Sequence, residues 1–465
     1  MRKAFSTLLF TVFLFAVLAA KTTPKITFKV KGANRNYALL AYYYGDKQYI
    51  ADSAKVAVDG TIVFTRDSAY NQGMYLLVYS NDNDYFEFFI EDDKQQFTVT
   101  ADGENPLKTA KVEGSPGNVL FFNYLNFIKD KKEEGTKYND KQVKYKIKQP
   151  DSAKYYQAKL DKIDSEVLSY QNNILKKYPK SYLACSLNAN WSPTVPKAPK
   201  GVADTASYIF YEYRSHYWDK FPFTDPRITY TPMLHNSISM YIEKMTPLSP
   251  DSVIEAIRLI CNKLKSNPKA YQYAVVYCIN KYAKEKTVGF DAVYVFMVNE
   301  YYANGKAPWI DKETLDKIES RSRTIEPLLL GKVAPPLNLP DINNNPKSLT
   351  DVNAAFTIVF FWSPDCSHCL EDAPKLLQFY YRAKRQGVEV YAVACNTTTQ
   401  QWNDAVSSNG LNWINVIDTE NRHQVYDVPT FPVIYILDKD QKIVMKRIDV
   451  DQIQMFFENQ YGMSF

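Results

Sequence analysis

At roughly 150 residues per domain, a chain of 465 residues argues for about three domains, each large enough to bury a core. Lysine and arginine number 56 against 51 aspartate and glutamate, a formal +5, and 46% of residues are hydrophobic with 15% aromatic. That balance excludes a wholly disordered chain, leaves nucleic acid without a massed basic face, and six cysteines are too few for a disulfide-stapled scaffold.

Arg2 and Lys3 precede an apolar run, Leu8 to Ala20, that ends in the small residues Ala16, Ala19 and Ala20 before the polar Lys21-Thr22-Thr23-Pro24. Those are the three parts of a secretory leader over residues 1–20. Counted from Ala4 the run is 17 residues broken by Ser6, Thr7 and Thr11, at the short end of a bilayer span of about 20. The expectation is cleavage, export to the periplasm or cell envelope, no stable membrane span afterwards, and thiols held under an oxidising poise.

Residues 24–112 carry short aromatic and β-branched runs between Asn, Asp and Gly turns: Lys25 to Lys31, Tyr37 to Tyr44, Thr61 to Thr65, Met74 to Tyr79, Tyr85 to Ile90 and Gln96 to Thr100. Spacing of that kind predicts an all-β domain, sandwich or barrel-like. From Asn118 the period becomes helical through Leu120, Tyr124, Phe127 and Ile128, and a second run covers Ser152 to Lys177. The lysine-dense stretch Lys129 to Lys148 is interleaved with Glu133, Glu134 and Asp140 and is read as a solvated face. Ser249-Pro250-Asp251 caps a further helix, others follow around 271–282, 291–302 and 311–323, and an all-α region is assigned to 118–327.

Residues 328–465 alternate strand and helix. Phe356 to Trp362 is a continuous apolar strand of the buried parallel kind. Leu370, Ala373, Leu377 and Tyr380 mark one helix face; Val388 to Ala394, Val433 to Leu437 and Ile443 to Ile448 are strands, and the predicted order is βαβαββα. Cys366-Ser367-His368-Cys369 lies where the first strand gives way to its helix. A helix N-terminus favours a thiolate on Cys366, and Cys369, one turn on, is near enough to close a disulfide with it. A C-x-x-C in a βαβ setting reads as a redox pair.

This region resembles the thioredoxin-fold thiol-disulfide oxidoreductases of the TlpA/ResA type. The likeness rests on the approach Gly331 to Ile342, on Phe361-Trp362 before the dithiol, on Pro374 in the helix, and on Tyr426-Asp-Val-Pro-Thr-Phe-Pro-Val-Ile-Tyr435. It implies a thioredoxin fold, catalytic Cys366 and Cys369 forming the redox disulfide, and Pro432 as a cis-proline that docks substrate beside Phe431. It also implies auxiliary roles for His368, as in oxidising relatives, and for Asp372, which stands where an acid exchanges protons with the second cysteine. Two positions depart from thioredoxin: Asp365 replaces the tryptophan before the first cysteine, and Phe360 replaces the buried aspartate. Direction of electron flow stays open. The N-terminal regions resemble β-rich and helical extensions in front of such domains. No metal or organic cofactor is implied; the expected partners are envelope protein thiols and disulfides and an upstream exchange partner, with no nucleic acid.

The competing readings are an adaptor of the same fold and a pair that serves as a structural staple. Half a zinc site is a third, but no second C-x-x-C exists. Cys185, Cys261 and Cys278 are read as packing thiols, with a Cys261–Cys278 bridge as the alternative. Cys395 is a buried strand-end thiol or a third redox thiol, and His216, His235 and His423 are read as isolated histidines.

Overall fold

The computed structural model describes residues 23–91, 95–147 and 149–465; the leader predicted over 1–20 lies outside them. The chain divides into two units, 1–237 and 238–465, so the helical stretch is shared between them. The division falls inside the helix Pro232–Lys244. Among the described residues no helix is long and apolar enough to cross a membrane.

Eight strands build the first unit: β1 Lys25–Lys31, β2 Tyr37–Tyr44, β3 Lys47–Lys55, β4 Thr61–Thr65, β5 Gly73–Val78, β6 Tyr85–Ile90, β7 Gln96–Asp102 and β8 Lys111–Glu113. They form two four-stranded sheets, β4-β1-β7-β8 and β3-β2-β5-β6. Alternation drives the arrangement: Ile26, Phe28 and Val30 of β1 are wholly buried while Lys25, Lys29 and Lys31 face water. Phe28 meets Phe86 at 5.8 Å and Phe88 at 5.0 Å between ring centroids, so side chains of both sheets share one core. Strand β3 went unpredicted because it is an exposed edge with no clean alternation, and a register shift at Leu40/Ala41 of its partner breaks the pattern further.

Strand β6 is an edge, and its open backbone is closed by a side chain. Ser115 caps the helix Pro116–Tyr145. In the first turn Asn118, wholly buried, accepts from Phe89 N–H at 2.7 Å and donates to Phe89 C=O at 2.7 Å. One amide thus stands in for a missing strand. The helix then runs antiparallel to Pro150–Lys177; Phe127 stacks on Tyr170 at 4.2 Å, and Lys131 reaches Glu166 at 2.5 Å.

The second unit opens with helices Pro250–Lys263, Pro268–Tyr282, Asp291–Met297 and Lys312–Ile325. A short hairpin follows, β9 Asn338–Pro340 with β10 Pro346–Ser348. Then come β11 Phe356–Trp362, β12 Val388–Cys395, β13 Ile414–Asp418, β14 Val433–Asp438 and β15 Ile443–Lys446, in the order β13-β12-β11-β14-β15. The first three are parallel, and β14 and β15 run antiparallel to their neighbours. The predicted βαβαββα therefore lacked the β9–β10 hairpin and one strand of the five-stranded sheet: β13 is a five-residue edge whose Asn415 interrupts the apolar run, too short for a period to register. Ile358, Phe360 and Trp362 pack on one face with helices Ser367–Ala383, Thr399–Ser408 and Val450–Tyr461, while Val359 and Phe361 pack on the other with Leu337, Leu339, Tyr391 and Tyr435.

Lys446 and Asp418 are among the buried polar residues of this unit. Lys446 donates to Leu328 C=O at 2.5 Å and pairs with Asp291; burial pulls its ammonium below the ordinary lysine value and Asp291 opposes that. Asp418, at the end of β13, accepts four hydrogen bonds: Oδ1 from Glu420 N–H at 3.2 Å and Arg422 N–H at 2.9 Å, Oδ2 from His423 N–H and Nδ1 at 2.7 Å each. Burial alone would raise its carboxyl, but these donors hold it below the usual aspartate range.

Asn118→Ala leaves two buried backbone groups of Phe89 unpaired, and denaturant unfolding should show a loss of about 2–4 kcal/mol; an unchanged midpoint would remove the strand-closing role. Asp418→Asn should cost about 2–3 kcal/mol at neutral pH. Because the folded carboxyl sits lower than its unfolded value near 3.9, the wild-type advantage holds above about pH 4 and fades as pH falls through the lower folded value. Urea titrations of both proteins across that range measure it.

Candidate functional site

The dithiol sits where a buried strand ends. Every side chain of β11 from Thr357 to Trp362 is buried, which fixes the take-off point of the helix Ser367–Ala383. Cys366 N–H bonds Ser363 C=O at 3.1 Å, and Cys366 then occupies the N-cap. Its Sγ takes the place a serine or aspartate oxygen usually fills, accepting from Cys369 N–H at 3.3 Å. One of the helix's first unpaired donors is thus directed at sulfur. Cys366 is half-buried, whereas Cys369, in the first turn, has no exposed surface. Burial first, then the neighbouring Cys366, pushes the Cys369 thiol up to about 12, and Asp372 adds to the rise. All six cysteines are unlinked in this structure, Cys261 and Cys278 included.

The facing wall is the loop before β14. The Phe431–Pro432 peptide bond is cis. Phe431 C=O accepts from Cys366 Sγ at 3.5 Å, which brings the loop and the first sulfur together. His368 and Asp365 are exposed beside the dithiol. Asp372 lies one turn past Cys369 and pairs with Lys375 at 3.3 Å, whose Nζ also reaches Asp451 at 3.2 Å. Pro374 lies inside the same helix. Cys366, Cys369, Asp372, Phe431 and Pro432 therefore converge, and His368 stands at the solvent side.

Sequence reasoning treated Cys395 and His423 as unrelated; folding brings them together with Asp418. Ligand atoms of the three, all buried, lie within 4.8 Å of one another. A metal would have to displace donors already in place, because both Asp418 oxygens each accept two hydrogen bonds. Asp418 and His423 as built form a hydrogen-bonded cap on the turn Arg422–Tyr426, while Cys395 Sγ donates to Val393 C=O at 3.6 Å. The cap bears on the dithiol indirectly: the His423 ring lies 5.8 Å from the Phe431 ring, so the Asp418–His423 pair buttresses the cis-proline loop from beneath. No sequence signal marks that contact, since β13 itself was too short to see. Elsewhere the first unit holds a cavity of about 880 Å³ bordered by Phe121, Tyr124, Trp191 and Ser186, whose hydroxyl has no partner; it contains no thiol.

Comparisons with known proteins match three stretches of the chain, one of which crosses the division between the two units. Residues 330–446 match the AhpC/TSA family; residues 25–121 and 164–326 match two domains of unknown function, DUF4369 and DUF5106. The thiol-disulfide oxidoreductase ResA of Bacillus subtilis is 29% identical over 115 residues, 24% of this chain and 64% of the relative's own length. ResA of Bacillus anthracis is 28% identical over 120 residues, 26% of this chain and 69% of that protein. Among solved structures, a domain of a possible thiol-disulfide isomerase from Cytophaga hutchinsonii is 36% identical, covering 29% of this chain and 93% of that one, with a TM-score of 0.28. A thioredoxin-like protein from Bacteroides caccae is 18% identical over 58% of this chain and 98% of that one, with a TM-score of 0.45. A buried mixed sheet, a dithiol at the first helix cap and these family matches together make the C-terminal part of the chain an AhpC/TSA thioredoxin-like domain of the TlpA/ResA kind.

Proposed function

We propose that this chain is an exported thiol-disulfide oxidoreductase that exchanges disulfides with proteins of the cell envelope. The observation that carries the reading is the asymmetry of the two sulfurs: Cys366 is partly open at a helix cap, and Cys369 is sealed with its thiol held near 12. In the reducing direction a Cys366 thiolate attacks one sulfur of a substrate disulfide. The S–S bond breaks, the other substrate sulfur leaves and takes a proton, and a mixed disulfide remains. Cys369 then loses its proton and attacks Cys366 Sγ, which releases the second substrate thiol. Two electrons have passed to the substrate, and the chain holds the new disulfide until an upstream dithiol restores it. The opposite direction reverses each step.

The buried thiol cannot take part until something accepts its proton. Asp372 is the assigned acceptor, close enough to act on Cys369 electrostatically and linked to solvent through Lys375. His368, exposed one residue before Cys369, is the auxiliary residue on the solvent side of the dithiol. Phe431 and Pro432 dock the substrate backbone; the carbonyl now bonded to the Cys366 thiol is freed when that sulfur is joined to substrate. Residues 24–112, in the sandwich reading of the two sheets, and 118–327 are extensions in front of the domain at 328–465; in the alternative adaptor reading they bind the partner.

Cys369→Ala should leave Cys366 joined to its targets, recoverable as mixed disulfides from the compartment to which the protein is exported; no adduct there would count decisively for the staple or adaptor readings. Equilibration with glutathione buffers and alkylation should place the pair between about −120 and −270 mV, and a pair that never reduces removes the enzyme. Asp372→Asn should slow resolution about tenfold to a hundredfold at neutral pH, with the loss shrinking as pH rises towards the Cys369 value. Stopped-flow decay of a preformed mixed disulfide reads that rate, and a pH-independent defect would dismiss the proton role.

A further inference from the structure

The helices Pro116–Tyr145 and Pro150–Lys177 form a hairpin whose far end, among the described residues, buries only Ala153. In the first helix only Asn118, Phe121 and Phe122 are buried, and from Phe122 to Tyr145 the axis runs about 35 Å at 1.5 Å per residue. The far end, residues 137–159, holds seven lysines against two aspartates, a surplus equal to the +5 of the entire chain. Six of those lysines are described, Lys137, Lys141, Lys144, Lys146, Lys154 and Lys159, and none has a carboxylate partner among the described residues. Nearer the base the same helices do pair their charges, Lys131 with Glu134 and Glu166.

Aromatic and aliphatic side chains are interleaved with these lysines. Tyr145 stacks on Tyr156 at 5.9 Å, Tyr138 and Tyr155 join them at 6.2 and 5.2 Å, and Lys141, Lys144 and Lys159 lie over the rings of Tyr156, Tyr145 and Tyr155. Beyond them Val143 is 61% exposed, Ile147 90% and Tyr155 57%. A nucleic-acid surface has no use for bare aliphatics. A protein interface wants a contiguous apolar centre depleted of lysine. Dispersed aliphatics and tyrosines among lysines match the headgroup layer of a bilayer, where tyrosine rings rest at the interface and lysine stems lie along apolar surface with their charge in water.

We propose that the tip of this hairpin docks on an anionic phospholipid bilayer, Val143 and Ile147 entering the interface and the unpaired lysines neutralising headgroups. The site is independent of the dithiol. Flotation of the full chain with vesicles of phosphatidylcholine, with and without phosphatidylglycerol, tests it, since the apolar run at residues 8–20 is common to every variant compared. Binding should require phosphatidylglycerol and weaken as salt rises. The triple variant Lys141→Ala, Lys144→Ala, Lys154→Ala should weaken it roughly a hundredfold, about fivefold for each lysine removed. Val143→Ser with Ile147→Ser should weaken binding while leaving its salt dependence intact, with unchanged far-UV circular dichroism in both variants. Equal flotation with and without phosphatidylglycerol, or no effect of either variant, overturns the proposal. So does equal binding of duplex DNA with no effect of the aliphatic substitutions, which would mark a general polyanion surface.

Discussion

A single contact organises the candidate site: the Cys369 N–H directed at Cys366 Sγ, 3.3 Å away. A sulfur at the N-cap position faces outward from the helix start while the residue three positions on turns back towards the core, because each side chain of a helix lies over the preceding turn. Sequence spacing of three therefore produces two chemically unlike thiols without any further device. The direction of that helix start is in turn imposed by β11, whose side chains are buried on both faces and leave no freedom at Ser363. Packing far from the sulfurs sets where they point.

The opposite wall is held by polarity rather than by packing alone. A carboxylate with no solvent is costly unless every lone pair is used, and Asp418 meets that condition with two backbone donors on one oxygen and the backbone and ring of His423 on the other. Fixing the ring fixes what lies against it, and that is Phe431. At its other end the loop begins at Asp427, which pairs with both Arg321 and Arg447. The cis-proline segment is thus tied at both approaches by charged groups, a stiffness suited to presenting one carbonyl to a sulfur.

What the sequence disclosed and what it withheld follow from range. Period and capping are local, so the alternating strands of the first sheets, the Ser249-Pro250-Asp251 cap, the apolar strand β11 and the C-x-x-C at its helix were legible. Strands β3 and β13 were not, since one shows its side chains to water and the other is five residues long. Asn118 replacing a strand partner, Lys446 buried against Asp291, and His423 beneath Phe431 all depend on residues 29, 155 and eight positions away respectively. No window of sequence holds both members of the first two pairs, and the third pair is visible only once β13 is known.

Charge shows the same difference between content and placement. Read along the chain, the lysines of the first hairpin helix are mixed with acids and look neutralised. Folded, Lys131 bridges Glu134 and Glu166 nearer the base of the hairpin, whereas the far end holds seven lysines against only Asp140 and Asp151, and Lys141, Lys144 and Lys159 lie over aromatic rings. A ring face offsets little of an ammonium charge in water, so the uncompensated field is concentrated on a few turns of helix. Such a concentration raises local counter-ion density far more than the same +5 spread over 465 residues. The small net charge of this chain is therefore a poor guide to the surfaces it can meet.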